Sequence, residues 1–366
     1  MEQLSHMQMT LGEHLRLTLF GTSHGARVGA ILEGVPNGLL VDDAGIAEAM
    51  ATRRPGGRYA SKRKEQDRVE FLSGVVEGKT TGGPIEISIQ NQDAKSKDYN
   101  FLPHHPRPGH QDMVMHKRTN GEADLRGGGM SSARLTAPLV AAAAFVAPLL
   151  TPLGIKAEAQ VGAIGNVEAG EMELQPARWS TDACKEMRCR DPEAAEAMVI
   201  LVESQRMSLN SIGSRVDLVV TGTPLGLGEP WFDGIEPAMA RAMMSIPAAR
   251  GVTFGRGFDV VNMTGLEHND AWGGTPESPT PMGDRPDGVL AGLATSAPIR
   301  CSVAFKPPSS IASEQKTLHL ESGAIEPLTV KGRHDPVLGP RAVAVVEAMA
   351  ILVLTDLALR GGFLDE

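Results

Sequence analysis

The chain has 366 residues, 42% hydrophobic and 22% charged, with 35 Lys and Arg against 44 Asp and Glu and a formal net charge of −9. That balance excludes a general nucleic-acid binder, because a polyanionic duplex is met by a basic face. Three cysteines (Cys184, Cys189, Cys301) without metal-type spacing point to free thiols in a reducing cytosol.

The opening Met1 to His6 lacks a basic region followed by an apolar one, so no secretory signal is expected and the location expected is cytoplasmic. Leu15 to Phe20 alternates as a strand, Gly21-Thr22-Ser23-His24-Gly25 turns, and Val28 to Leu32 is a second apolar segment. Asp42-Asp43 opens a short helix, Ala44 to Met50, with acids at the favourable end. A dense positive segment follows: Arg53, Arg54, Arg58, Lys62, Arg63, Lys64 and Arg68, with Pro55-Gly56-Gly57 inside it. Val69 to Val76 and Ile85 to Ile89 read as strands. Residues 93–112, rich in Pro and His, read as a loop, and long ordered loops tend to carry function.

Arg126-Gly127-Gly128-Gly129-Met130-Ser131-Ser132-Ala133-Arg134 precedes an apolar run, Leu135 to Leu150, that predicts a buried helix. Three glycines let backbone amides approach a ligand and make positive φ inexpensive. A turn of this kind feeding a helix N-terminus favours anions, and the plainer reading makes Ser131 or Ser132 an ordinary N-cap. Ile155 to Ile164 predicts a strand, 166–192 surface, Pro192 to Met207 an amphipathic helix, and Arg215 to Thr221 a strand. Pro237 to Ile246 is helical up to Pro247. Residues 268–288 read as a second long polar loop, and Cys301 to Phe305 as a strand running into Lys306-Pro307-Pro308-Ser309-Ser310. Lys331 to Pro336 leads to a long apolar helix, Val343 to Leu359. Glu347 and Asp356 interrupt it, so it reads as a core or subunit-contact helix rather than a membrane span. Irregularly interleaved strands and helices favour one α+β domain over the whole chain, with a doubly wound α/β fold as the runner-up.

His110, in Arg107-Pro108-Gly109-His110, is the strongest acid–base candidate: histidine suits proton donation to a departing phosphate near neutral pH. The neighbouring Arg107 is expected to lower its affinity for a proton. His24 faces out of a glycine-flanked turn. Arginines bracketing Pro55-Gly56-Gly57 suit bidentate capture of carboxylate or phosphate. Asp335 has two readings, helix cap or site residue. No spacing suggests a metal site or a nucleophile elbow.

Taken together, these motifs resemble the chorismate synthase family over nearly the full length. Gly21 to Gly25 resembles the signature G-E-S-H-G, and Gly127 to Arg134 resembles G-G-G-R-S-S-A-R. Arg53-Arg54-Pro55-Gly56, Arg107 to His110, Ser245 to Gly251, Phe305 to Ser310 and Gly332 to Pro336 match further blocks in the family's order.

The resemblance implies a carbon–oxygen lyase. Its reaction is the anti 1,4-elimination of phosphate from 5-enolpyruvylshikimate 3-phosphate to give chorismate, the last shikimate-pathway step toward aromatic amino acids. It also implies dependence on reduced FMN, with NADPH as a candidate reductant, a β-α-β sandwich of antiparallel sheets enclosing helices, and a homotetramer that binds neither nucleic acid nor membrane. By position, His110 would protonate the leaving phosphate, His24 would support the flavin, and Asp335 would assist proton movement. Met130, Ser131, Ser132, Pro247, Ala248, Ala291, Lys306, Pro307, Pro308, Ser309, Ser310 and Arg333 would hold FMN. Arg53, Arg58 and Arg134 would hold substrate or NADP. Thr22 and Met130 depart from the signatures, as does Gly283 to Gly288 with Ala291. The alternatives are a paralogue eliminating phosphate from another ring acid and a non-catalytic flavin- or phosphate-binding protein.

Overall fold

In the computed structural model, residues 7–54, 67–92, 96–175, 178–332 and 334–364 are described. The expected site residues Arg58 and Arg333 lie outside them, as do Lys62 to Lys64. The first half contributes strands β1 (Thr10–Leu11), β2 (Arg16–Gly21) and β3 (Arg27–Glu33), helix α1 (Asp43–Arg53), β4 (Val69–Ser73), β5 (Ile85–Gln90), α2 (Asp112–Arg118) and α3 (Thr136–Val146). The second half contributes β6 (Lys156–Ile164), β7 (Val167–Glu168), α4 (Asp182–Met187), α5 (Pro192–Met207), β8 (Ser214–Thr221), α6 (Ile235–Ser245), β9 (Ala249–Phe254), β10 (Ile299–Phe305) and α7 (Gly339–Arg360).

Two five-stranded antiparallel sheets enclose the helices. Their strand orders are β1-β2-β3-β5-β4 and β9-β10-β8-β6-β7. Period-two alternation builds the inner faces: Val28, Ala30 and Leu32 of β3 stand opposite Ile89, Ile87 and Ile85 of β5, all six fully buried. Val216 of β8 likewise pairs with Val161 and Val303 on its two neighbours. Helix α3 packs on the first sheet, α7 on the second, and the two helices on each other. This is the expected β-α-β sandwich. The run Ala141 to Ala144 keeps α3 slim, which sets how closely the α7 axis can approach.

Apolar residues around their whole circumference let α3 and α7 sit between sheets. The longer stretch Arg126–Leu153 around α3, and α7 itself, have the length and composition of a membrane span, yet 67% and 89% of their most apolar windows are enclosed by protein. The acid that interrupts α7, Asp356, is a structural acceptor. It takes the backbone N–H groups of Glu13, His14 and Leu15 at 3.2, 2.7 and 2.7 Å, tying the approach to β2 onto the helix. Asp356→Ala is expected to lower the unfolding free energy by about 1–3 kcal/mol, the cost of orphaned buried donors, read by chemical denaturation.

Two stretches expected as a polar loop and as surface hold regular elements. Within 268–288, Ala271–Thr275 pairs with Ser278–Met282. The prolines at 279 and 281 hide this hairpin from strand rules, but in a two-stranded ribbon a residue without an N–H can face outward. Within 166–192, α4 starts where the Thr181 side chain accepts from the Cys184 amide, and it buries Cys184 and Met187. All three cysteines are free and buried, and burial pushes the Cys189 and Cys301 thiols up to about 12.

Candidate active site

The glycine run is the centre of the site. Gly127, Gly128 and Gly129 have φ of 58°, 89° and 54°, three successive left-handed residues that L side chains resist. A Cβ on Gly127 would lie 2.6 Å from Cε1 of His24, whereas one on Gly128 would meet His110 ring atoms at an ordinary 3.8 Å. The loop therefore separates the two histidines and keeps both close. Ser23 holds it from one side, its amide donating to the Gly129 carbonyl at 3.1 Å and its hydroxyl to the Arg126 carbonyl at 2.9 Å. Gln111 holds it from the other, donating to the Gly128 carbonyl at 2.6 Å. Ser132 caps only the short turn Ala133–Leu135, accepting from the Arg134 amide at 3.3 Å; α3 itself has no side-chain cap.

A cavity of about 630 Å³ opens beside this loop, within the range of about 300–1,000 Å³ usual for small-molecule sites. It is lined by His110, Ser131, Ser132, Arg53, Arg134, Pro247, Ala248, Lys306, Pro308, Ser309, Ser310 and Asp335, so segments far apart in sequence converge as expected. Met130, Pro307 and Ala291 do not line it. Ala291, with φ 53°, turns the small hairpin of Val289–Leu290 and Leu293–Ala294. His24 is also outside the lining, packed edge-on at 5.1 Å against Tyr99, which does line the cavity.

Arg53 and Arg134 are each 3% exposed, and both ion-pair with Asp67: Arg53 Nη1 donates to Oδ2 at 3.1 Å and Arg134 Nη1 to Oδ1. Arg134 Nε donates to Asn91 Oδ1 at 2.9 Å, and the Asn91 amide clamps the His24 turn through the carbonyls of Thr22 and Gly25. Asp67 is thus one carboxylate shared by two buried guanidiniums in the cavity wall. Removing it strands buried cations, so Asp67→Ala is expected to destabilise the fold by roughly 3–5 kcal/mol, measured by urea unfolding.

Lys306 donates to the Gly109 carbonyl and to Ser309 Oγ, joining its loop to the one carrying His110. Burial, then the charge of Arg250, pulls the Lys306 ammonium below its ordinary pKa. Asp335 is no helix cap; it accepts from Arg341 Nη1 at 2.6 Å. His334 also lines the cavity, its pKa lowered by burial and then by Arg107. Beneath His110, its Nδ1 lies 2.7 Å from Asp112 Oδ1, and Arg107 Nε and Nη2 donate to the same carboxylate at 2.7 and 2.8 Å. The expectation that Arg107 acts on His110 as a bare cation is corrected: its charge is matched by Asp112. Burial alone would raise the Asp112 pKa, but hydrogen bonds from Arg107 and His110 outweigh it and hold the carboxyl well below its usual range.

Sequence reasoning missed Tyr99, Asp67, Asp112, Arg250 and Arg341. Among the described residues at this cavity, Arg53, Arg107, Arg134, Arg250, Lys306 and Arg341 face the carboxylates Asp67, Asp112 and Asp335, an excess of three positive charges.

A cationic cavity with an imidazole in its wall, set between helix-enclosing antiparallel sheets, defines an α+β enzyme for a small anionic substrate. The chorismate synthase family model matches residues 15–359, and the chain belongs to that family. It is 46% identical to the chorismate synthase of Aeropyrum pernix, covering 96% of this chain and 92% of that protein. It is 40% identical to that of Methanosarcina mazei, over 97% of each. A crystal structure of chorismate synthase superimposes with TM-score 0.72 at 28% identity, covering 96% of this chain and 93% of that one. The chain is accordingly a carbon–oxygen lyase that forms chorismate in the shikimate pathway, and its family requires reduced flavin.

Proposed function

We propose that this cavity performs the elimination, with 5-enolpyruvylshikimate 3-phosphate and reduced FMN bound side by side. What supports this is the convergence on one cavity of His110, Arg53, Arg134, Ser131, Ser132 and Lys306 to Ser310, with Pro307 alone of those five turned elsewhere. The lining suits a flavin. The glycine run presents backbone without side chains, Pro247, Ala248, Leu338 and Val345 offer apolar contact for a ring system, and Lys306, Ser309 and Ser310 offer donors for a phosphate. When bound, reduced flavin lends electron density to the substrate and recovers it, with no net redox change.

The protein's own groups do the rest. The positive excess attracts a substrate with two carboxylates and a phosphate, and fixed cations stabilise the charge that develops as phosphate departs. His110 donates its Nε2 proton to that phosphate. Asp335, steadied by Arg341, handles the proton leaving the ring. Arg53 and Arg134, in the cavity wall, supply positive charge for the anionic substrate. His24 supports the flavin through Tyr99 and Gly127, and Arg58 and Arg333 extend the anion clamp by their place in the family's motifs.

The whole chain is proposed to act as one catalytic domain, in the cytoplasm, as a homotetramer. Exposed Trp231, Phe232, Phe258 and Leu266 support an assembly surface. The test is an anaerobic assay with chemically reduced FMN: chorismate and phosphate should appear in equal amounts. Phosphate without chorismate, or no product with flavin bound, would transfer the reading to another ring acid. Replacing the chemical reductant with NADPH then decides whether the enzyme reduces its own flavin.

A further inference from the structure

We propose that Asp112 is a positioning residue for the elimination: from beneath His110 it fixes the imidazole with its proton on Nδ1, leaving Nε2 as the atom that exchanges a proton with the substrate. The inference rests on the acid role given to His110. Its geometric basis is independent of that role.

The Asp112 carboxylate is fully buried, and three donors of Arg107 fix it: the backbone N–H at 3.1 Å, Nε at 2.7 Å and Nη2 at 2.8 Å. Arg107 is itself fixed, donating to Ser310 Oγ at 3.1 Å and lying over the Tyr99 ring at 5.5 Å. The carboxylate is therefore the rigid partner and the imidazole conforms to it. Arg107 Nη2 also approaches His110 Nδ1 at 3.1 Å, so two proton arrangements compete. If Nδ1 were a bare acceptor for the guanidinium, its lone pair would face the Asp112 Oδ1 lone pairs at 2.7 Å. A hydrogen on Nδ1 donated to Oδ1 removes that repulsion, and Arg107 Nη2 already has Oδ1 as its acceptor. The proton belongs on Nδ1.

The consequence is catalytic economy. With Nδ1 tied to a buried carboxylate, both protonation states of His110 keep the same ring orientation, and proton donation from Nε2 needs no flip. Low proton affinity keeps Asp112 ionised throughout the working range. The charged groups nearest the ring include Arg107 on its own loop, Asp112 at the start of α2, Lys306 on the Gly109 carbonyl, and Arg250, Asp335 and Arg341 in the same cavity.

Histidine-ring ¹⁵N NMR of the full-length protein, with the His110 signals identified by their loss in His110→Gln, should show the neutral ring protonated on Nδ1. A neutral wild-type ring protonated on Nε2 would overturn the proposal. In Asp112→Asn the fixed tautomer is lost. Turnover should fall by about 10²–10⁴-fold with KM within a few-fold, by analogy with the loss seen when an orienting aspartate is made neutral. Asp112→Glu should recover part of the rate. An Asp112→Asn enzyme with unaltered turnover, or one whose rate falls while its ring signals match wild type, would contradict the positioning role. Retained turnover in His110→Gln alongside an Nδ1-protonated wild-type ring would instead refute the acid role of His110 and leave the geometry standing.

Discussion

Replacing His110 with alanine is expected to lower the rate of chorismate formation by roughly 10²–10⁴-fold, the usual contribution of a positioned acid or base, with flavin affinity nearly unchanged. Its side chain is 22% exposed and stands over the Asp112 and Arg107 pair, which remains satisfied internally when the ring is gone. The fold should therefore tolerate the change, and the deficit should appear in single-turnover phosphate release under anaerobic conditions. The loss should also shrink for a substrate whose leaving group needs no proton. A variant that released phosphate at the wild-type rate would remove the histidine from the chemistry.

The second large effect is expected at Gly127. Alanine there meets two costs: a left-handed backbone at φ 58°, about 1–2 kcal/mol for an L residue, and a Cβ at 2.6 Å from Cε1 and 2.8 Å from Nδ1 of His24. The ring or the loop must move, and a shift near 1 Å in a positioned group costs about 10²-fold in rate. Gly128→Ala is the control, since it bears backbone strain at φ 89° but its Cβ finds 3.5 Å to Ser132 and 3.8 Å to His110. Both variants should unfold at lower denaturant concentration, while Gly127→Ala should also weaken flavin binding. Equal flavin affinity in the two would show that His24 has no part in holding the cofactor.

Much of this architecture is written in local patterns. Val28 to Leu32 and Ile85 to Ile89 alternate because one face of each is buried, and α5 occupies the predicted Pro192–Met207 because Asp191 caps it and Pro192 opens it. The glycine run was legible because consecutive glycines have few other uses, and His110 because a rigid turn presents it. What could not be read is pairing across distance. Nothing near Asp67 says that it will be shared by arginines 14 residues before it and 67 after it. Asp112 looks like an ordinary helix-start acid until its neighbours close around it. Arg341 opens an apolar helix, and its partner Asp335 stands six residues earlier, a spacing outside any helical rule. The hairpin at Ala271–Met282 was hidden by prolines that only a ribbon with free edges accepts.

The central claim is that the cavity between the glycine run, the His110 loop and the Lys306 loop is where phosphate leaves. A crystal structure with 5-enolpyruvylshikimate 3-phosphate and oxidised FMN tests it most directly, because the oxidised cofactor lends no electrons and the complex should persist. The account predicts both ligands in this cavity, the flavin on the Ser131–Ser132 and Lys306–Ser310 side and the substrate phosphate within hydrogen-bond reach of His110 Nε2. A substrate bound elsewhere, or turned so that its phosphate points away from His110, would contradict it.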